Sequence, residues 1–166
     1  MVKQESIRIV NSYFTPFATV LILVAIFIAH PGTALTFIFL GVMLFSFLFN
    51  EITNQILKKH ANLAIIISNI RLFVNFLLNI CIVYFLGGFW GPLWLLFVLT
   101  PIATAIYSDA KKTMIMALIS SGTLLIIYLV RGLTGIISWG QAFSHVWFII
   151  IISLFINKLV SACYKK

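Results

Sequence analysis

The sequence predicts an all-α integral membrane protein, a bundle of about six transmembrane helices. Of its 166 residues, 63% are hydrophobic and 8% are charged, whereas about a quarter of the residues of a soluble domain are charged. A membrane span needs about 17 to 25 apolar residues, so a chain of this length accommodates about six spans with short connections. We therefore expect a single transmembrane domain over residues 1–166.

Apolar runs and the breaks between them place the helices. We expect them at about 13–29, 33–49, 61–86, 93–107, 113–130 and 143–160. His30-Pro31-Gly32 separates the first two, because proline disfavours helix in the residue before it and glycine allows a tight turn. The polar residues before Tyr13 predict an interfacial lead-in. Between Asn50 and His60, apolar residues recur at helical spacing, so we expect an amphipathic turn or two at the membrane surface.

Lysine and arginine are distributed unevenly over the two sides of this bundle. Arg131 lies on one side, and the other side has Lys3, Arg8, Lys58, Lys59, Lys111, Lys112, Lys158, Lys165 and Lys166. Basic residues in short loops favour the cytoplasmic side, so we expect both termini in the cytoplasm and the chain in the bacterial inner membrane. Topology thereby explains the net charge of +8, and nucleic acid is not an expected partner.

A polar stripe runs along the third helix and consists of Ser68, Arg71, Asn75 and Asn79. At 100° per residue these side chains share one face, and a guanidinium in a span is costly enough that this face should turn away from lipid. Three interpretations are open. Arg71 pairs with Glu51 or Asp109 while the asparagines join helices; the stripe lines a cavity that binds an anion, a quinone or a lipid headgroup; or it contacts another chain.

Other candidate residues carry less specific patterns. His30 and His145 are expected near the same membrane face, where together they could ligate a haem, a pigment or another metal centre, or could each be an interfacial anchor. A small-residue face on the fifth helix is expected to pack closely and comprises Ala117, Ser120, Ser121 and Gly122. Phosphate loops, nucleophile elbows, zinc motifs and paired carboxylates are missing from the sequence, so we expect neither an enzyme nor a cofactor.

Arg71, Asn75, Gly87-Gly88, Gly91-Pro92 and Pro101 follow one another in a recognisable order. In this the run from Arg71 to Arg131 resembles the multi-spanning membrane input domain at the N-terminus of bacterial sensor histidine kinases. The resemblance implies a bundle that senses a ligand or the membrane. That family continues into a coiled coil and a kinase, whereas this sequence stops at Lys166, so kinase activity is not carried over.

Two functions are therefore expected as alternatives. The first is a non-catalytic membrane subunit or sensor-like module that acts through a partner chain, by association with other membrane subunits or with itself. The second is the membrane component of a small-solute transporter with its polar site on the third helix.

Overall fold

The computed structural model describes residues 2–59, 63–86, 91–132 and 135–164. These residues form six α-helices and no strand, which confirms the all-α class. The helices are α1 (Val2–Ala29), α2 (Thr33–Lys59), α3 (Ala64–Leu86), α4 (Leu96–Tyr107), α5 (Ala110–Val130) and α6 (Ile136–Tyr164), and a short 3₁₀ helix, Gly91–Leu95, precedes α4.

Four segments among the described residues are long and apolar enough to cross a membrane. They are Thr33–Leu57, Ile66–Leu86, Ala110–Val130 and Ile136–Cys163, and two shorter apolar helical segments are Tyr13–Ile28 and Pro92–Tyr107. Helices of this kind fit a multi-pass membrane protein.

The first two helices are longer than their apolar runs. Helix α1 begins at Val2 and includes the expected lead-in, and α2 continues from its apolar part to Lys59. No proline or glycine follows Gly41 in α2, so the backbone has no reason to leave the helix where the side chains become polar. The expected surface turns after Asn50 are therefore the last turns of α2. The predicted start of the third helix at Ala61 and residues 87–90, between the predicted third and fourth helices, lie outside the described residues.

His30 ends α1 in a conformation that favours glycine. Its φ is +42°, and its backbone N–H donates to the carbonyl of Ile26 at 3.1 Å. A residue in the left-handed region just after a helix commonly closes the last turn in this way. The predicted break before Thr33 is thus present, with His30 as the turning residue.

The chain divides into two compact units, Met1–Leu93 and Trp94–Lys166. In the first unit, α3 contacts both α1 and α2, and its most extensive contact is with α2. In the second unit, α4, α5 and α6 each contact the other two extensively.

Small buried side chains allow the close contacts of the second unit. They comprise Ala103, Ala105, Ala117, Ser120, Ser121, Ala142 and Ser153. Three members of the predicted small-residue face of α5 are therefore buried. Gly122 is exposed, and an added Cβ would meet nothing within 4 Å. It lies about 140° around the helix from Ala117, so it was wrongly included in that face.

Candidate functional site

A second polar stripe, on α2, faces the predicted stripe of α3. Ser46, Asn50 and Asn54 follow one another at four-residue steps, which puts them on one side of the helix. Ser46 and Asn50 are bonded to Asn75, and Asn50 and Asn54 are bonded to Arg71. An advance of four residues along α2 thus corresponds to a retreat of four along α3. The two stripes form an antiparallel ladder, which we call the α2–α3 polar ladder.

Three side chains of this ladder form a closed ring of hydrogen bonds. Asn75 Nδ2 donates to Asn50 Oδ1 at 3.2 Å. Asn50 Nδ2 in turn donates to Ser46 Oγ at 3.5 Å, and Ser46 Oγ donates to Asn75 Oδ1 at 3.4 Å. The two longer bonds are weak, since bond strength falls as the distance grows beyond about 3 Å. The amides of Asn50 and Asn75 nevertheless each donate one hydrogen bond and accept one within this ring.

Arg71 is buried, with 5% of its surface exposed, and is bonded to two amide oxygens of α2. Its Nε donates to Asn50 Oδ1 at 3.2 Å, and its Nη1 donates to Asn54 Oδ1 at 2.8 Å. Hydrogen bonds that involve a charged group contribute about 1.5 to 3 kcal/mol each. These two bonds span one turn of α2 and join it to α3.

Glu51 and Asp109, the predicted ion-pair partners of Arg71, have other described partners. Glu51 is exposed, and its Oε1 accepts a bond from Gln55 Nε2 at 3.3 Å. Asp109 caps α5, where its Oδ1 accepts from the backbone N–H of Lys112 at 2.8 Å. An ion pair with Arg71 stays a prediction. Neutral amides of α2 supply bonds that the sequence pattern assigns to a carboxylate.

The other two members of the predicted stripe, Ser68 and Asn79, are also buried. Ser68 lies one turn before Arg71, and its hydroxyl has no hydrogen-bond partner among the described residues. A buried hydroxyl without a partner costs about 1 to 3 kcal/mol. The structure thus brings Arg71 and Asn75 into one network with α2, and places Ser68 one turn beyond it.

Sequence reasoning missed the α2 side of the ladder. Asn50 has the appearance of a helix end, since it follows an apolar run and precedes an acid. The available signal was the four-residue spacing of Ser46, Asn50 and Asn54, which matches the spacing on α3.

A second missed residue, Asn157 of α6, joins the three helices of the second unit. It is 4% exposed, and its Nδ2 donates to the carbonyls of Ala105 at 3.0 Å and Ser108 at 2.9 Å and lies 3.2 Å from Thr113 Oγ1. The last carbonyls of a helix have no partner within it, and Asn157 supplies one at the end of α4. A sequence offers no signal for bonds to backbone carbonyls.

The two histidines proposed as metal ligands have different surroundings. His30 belongs to the first unit, is exposed and lies with its ring centre 6.0 Å from that of Phe27. His145 belongs to the second unit, where it contacts Trp94 and Tyr128. The described residues include no group of three or more His, Cys, Asp or Glu side chains that could hold a metal ion.

Comparisons with protein-family models, with curated proteins and with solved structures found no match. The α2–α3 polar ladder is therefore interpreted from its own chemistry. It offers a buried positive charge, amides bonded to one another across two helices, and one hydroxyl that has no partner within the described ranges.

Proposed function

We propose that this chain is a non-catalytic, multi-pass module of a larger membrane assembly, sensor-like in that it acts through a partner chain contacted by α2. In this proposal all six helices cross or enter the bilayer. The resemblance to kinase input domains points in the same direction, since such a bundle transmits its state to another protein part.

The observation that carries the proposal is the contrast between the two sides of α2. One side is fixed to α3 by the α2–α3 polar ladder. The other side is apolar and exposed, and includes Ile38, Phe45, Leu48 and Ile52. Ile38, Phe45 and Ile52 recur every seven residues, and Leu48 follows Phe45 by three, which is the spacing with which one helix packs along another. Because the α2–α3 polar ladder couples the two helices, a movement of α3 would also move α2 and its exposed surface, which is suited to a partner helix.

The ladder itself favours a mechanical role over a solute site. Asn50 and Asn75 direct amide groups at each other, so a solute would have to replace these bonds before it could bind. Breaking bonds between buried polar groups without replacement costs about 1 to 3 kcal/mol for each group. Such a network suits an element that holds two helices in register.

Photo-crosslinking in the native membrane tests the partner surface. A photoreactive residue at Phe45, 53% exposed on α2, should capture a protein partner. The same residue at Ile126, 60% exposed on α5, is the matched control because it samples an equally apolar surface on another helix. Crosslinks to lipid alone at Phe45, or equal protein capture at both positions, would contradict the proposal.

We further propose that both termini lie in the cytoplasm, at the inner membrane of a bacterium. The support is the clustering of lysines near Lys58, Lys111 and Lys158 against the single Arg131 on the alternate side. Cys163 is a native reporter near the C-terminus, since it is an exposed free thiol. In a Cys81→Ser background, an impermeant thiol reagent should label Cys163 in inverted vesicles and spare it in intact cells. Labelling of Cys163 in intact cells would contradict the proposed cytoplasmic location of the C-terminus.

A second candidate function is the membrane component of a small-solute transporter. One observation favours it: the Ser68 hydroxyl is buried one turn from Arg71 and has no hydrogen-bond partner among the residues that the structure describes, as expected of a group that binds a polar solute. Liposomes containing the purified chain would then take up an anion such as chloride, and Ser68→Ala would slow the uptake. Uptake no faster than in protein-free liposomes would dismiss this candidate for that anion.

A further inference from the structure

Aromatic side chains from three segments of the second unit meet around His145. Its ring is stacked on Trp94, with ring centres 4.2 Å apart and planes 13° apart. Its Nδ1 lies 2.8 Å from the Tyr128 hydroxyl, in hydrogen-bond distance. Phe148 holds the indole from the side, edge-on at 5.5 Å. The imidazole is thus positioned on one face and at one nitrogen.

We propose that His145, with Tyr128 and Trp94, is a reversible proton-binding site. Histidine is the side chain that ordinarily changes charge between about pH 5 and 8. His145, Tyr128 and Trp94 are each half-buried, so the imidazole is held in place and still reaches the surface. The inference stands on these contacts and does not require the partner proposed above.

The Tyr128 hydroxyl can serve both protonation states of His145. A hydroxyl both donates and accepts, whereas the imidazolium only donates. When Nδ1 has a lone pair, the hydroxyl donates to it; when Nδ1 bears a hydrogen, the hydroxyl oxygen accepts from it. One proton from solvent converts either neutral tautomer into the same imidazolium, and Tyr128 keeps its own hydrogen throughout. The contact at 2.8 Å therefore survives the change of charge.

Trp94 offers a direct contact to the charged form of His145. The face of an indole ring carries partial negative charge and attracts a cation whose centre lies within about 6 Å. At a centre distance of 4.2 Å and with nearly parallel planes, an imidazolium would lie directly against that face. Protonation thus strengthens the contact between α6 and the segment before α4.

Other charged groups of the second unit are few on this part of the bundle. Arg131, which directly follows α5, lies three residues after Tyr128 and opposes a further positive charge. The remaining charged or titratable side chains that the structure describes in this unit lie at the opposite ends of their helices: Tyr107, Asp109, Lys111, Lys112, Lys158 and Cys163. The distance along α6 from His145 to Lys158 is about 20 Å, about twice the length of about 10 Å over which salt screens surface charges. Trp94 and Tyr128 therefore dominate the surroundings of the imidazole.

Tryptophan fluorescence tests the site in the full-length chain. Trp90, Trp139 and Trp147 are replaced by Phe, which leaves Trp94 as the single reporter, and emission is followed from about pH 8 to pH 5 in detergent micelles. A protonated imidazole stacked on indole quenches its emission. We expect a reversible, single-step fall in Trp94 emission on acidification.

Two substitutions assign the effect to His145. His145→Gln and His145→Phe both remove the titrating group, and the second keeps an aromatic ring against Trp94. Both should lose the pH-dependent change, while His30→Gln, which alters a histidine of the first unit, should retain it. Emission that stays constant over the whole range would overturn the proposal. A fall that persists in either His145 variant with unchanged helix content would overturn it equally.

Discussion

The helices of the two units are similarly apolar. Within each unit, however, a different kind of interaction holds its helices together. In the first unit, the link between α2 and α3 consists of long polar side chains, above all Arg71 bonded to Asn50 and Asn54. In the second unit, small side chains such as Ala117 and Ser153 allow the helices close contact. The polar bonds there run largely from a side chain to a backbone carbonyl, as at Asn157.

This difference follows from the weakness of the hydrophobic effect between helices that already lie in lipid. Helices already in lipid gain little from burying apolar surface, so close packing and hydrogen bonds remain as sources of stability. Small residues provide close packing without a polar group, and the second unit is rich in them. The first unit has larger side chains along α2 and α3, including Phe39 and Phe85 in ring contact at 6.5 Å, and depends more on specific hydrogen bonds.

The largest expected effect is the loss of the charged link in the first unit. Arg71→Leu leaves the amide oxygens of Asn50 and Asn54 without this donor. Since each bond to a charged group contributes about 1.5 to 3 kcal/mol, this substitution should lower the free energy of unfolding by about 3 to 6 kcal/mol. Unfolding by a denaturing detergent in mixed micelles measures it. Lys111→Leu is the control, because Lys111 is exposed and surface substitutions change stability by about 0.5 kcal/mol or less. Equal stability of the two variants would contradict the account.

An intermediate effect is expected from crowding the close contacts of the second unit. Ala117 is fully buried, so Ala117→Leu should force neighbouring helices apart and cost about 1 to 3 kcal/mol in the same unfolding measurement. Gly122→Leu adds a larger side chain where an added Cβ meets nothing within 4 Å, and should be tolerated. If Gly122→Leu destabilised as much as Ala117→Leu, close packing at Ala117 would not be the cause.

The smallest expected effect is the loss of the bonds that Asn157 makes. Asn157→Leu removes the donor to the carbonyls of Ala105 and Ser108. Side-chain hydrogen bonds in membrane proteins average about 0.6 kcal/mol and reach about 1.7 kcal/mol, so we expect a loss of about 1 to 2 kcal/mol. Lys158→Leu alters the exposed neighbour and serves as the reference. A loss at Asn157 no greater than at Lys158 would show that close packing alone holds the second unit.

The parts of the fold that follow from periodicity were accessible from the sequence. Apolar runs predicted six helices, and the helical spacing of Arg71 and Asn75 predicted a shared inward face, in keeping with the buried Arg71. The start of α1 and the end of α2 were not accessible in the same way, because hydropathy marks where lipid contact stops and the backbone continues the helix beyond that point.

The partners within the site were harder to predict. A buried arginine points to a carboxylate, so Glu51 and Asp109 were the natural candidates, and the structure adds neutral amides from a helix thought to have ended at Phe49. The partners of Asn157 could not be predicted from the sequence, because its acceptors include backbone carbonyls, which every residue carries. The contact of His145 with Trp94 depends on tertiary structure, because the residues are far apart in the chain.

A double-mutant cycle between Asn50 and Arg71 is the most direct test that hydrogen bonding across the α2–α3 polar ladder holds the first unit. Unfolding free energies are measured for Asn50→Ala, Arg71→Leu and the double variant, with Phe47→Ala in place of Asn50→Ala as the reference cycle, since Phe47 is exposed on α2. The account predicts a coupling energy of about 1 to 3 kcal/mol for Asn50 with Arg71, and additivity to within about 0.5 kcal/mol for Phe47 with Arg71. Additive effects in both cycles would contradict it.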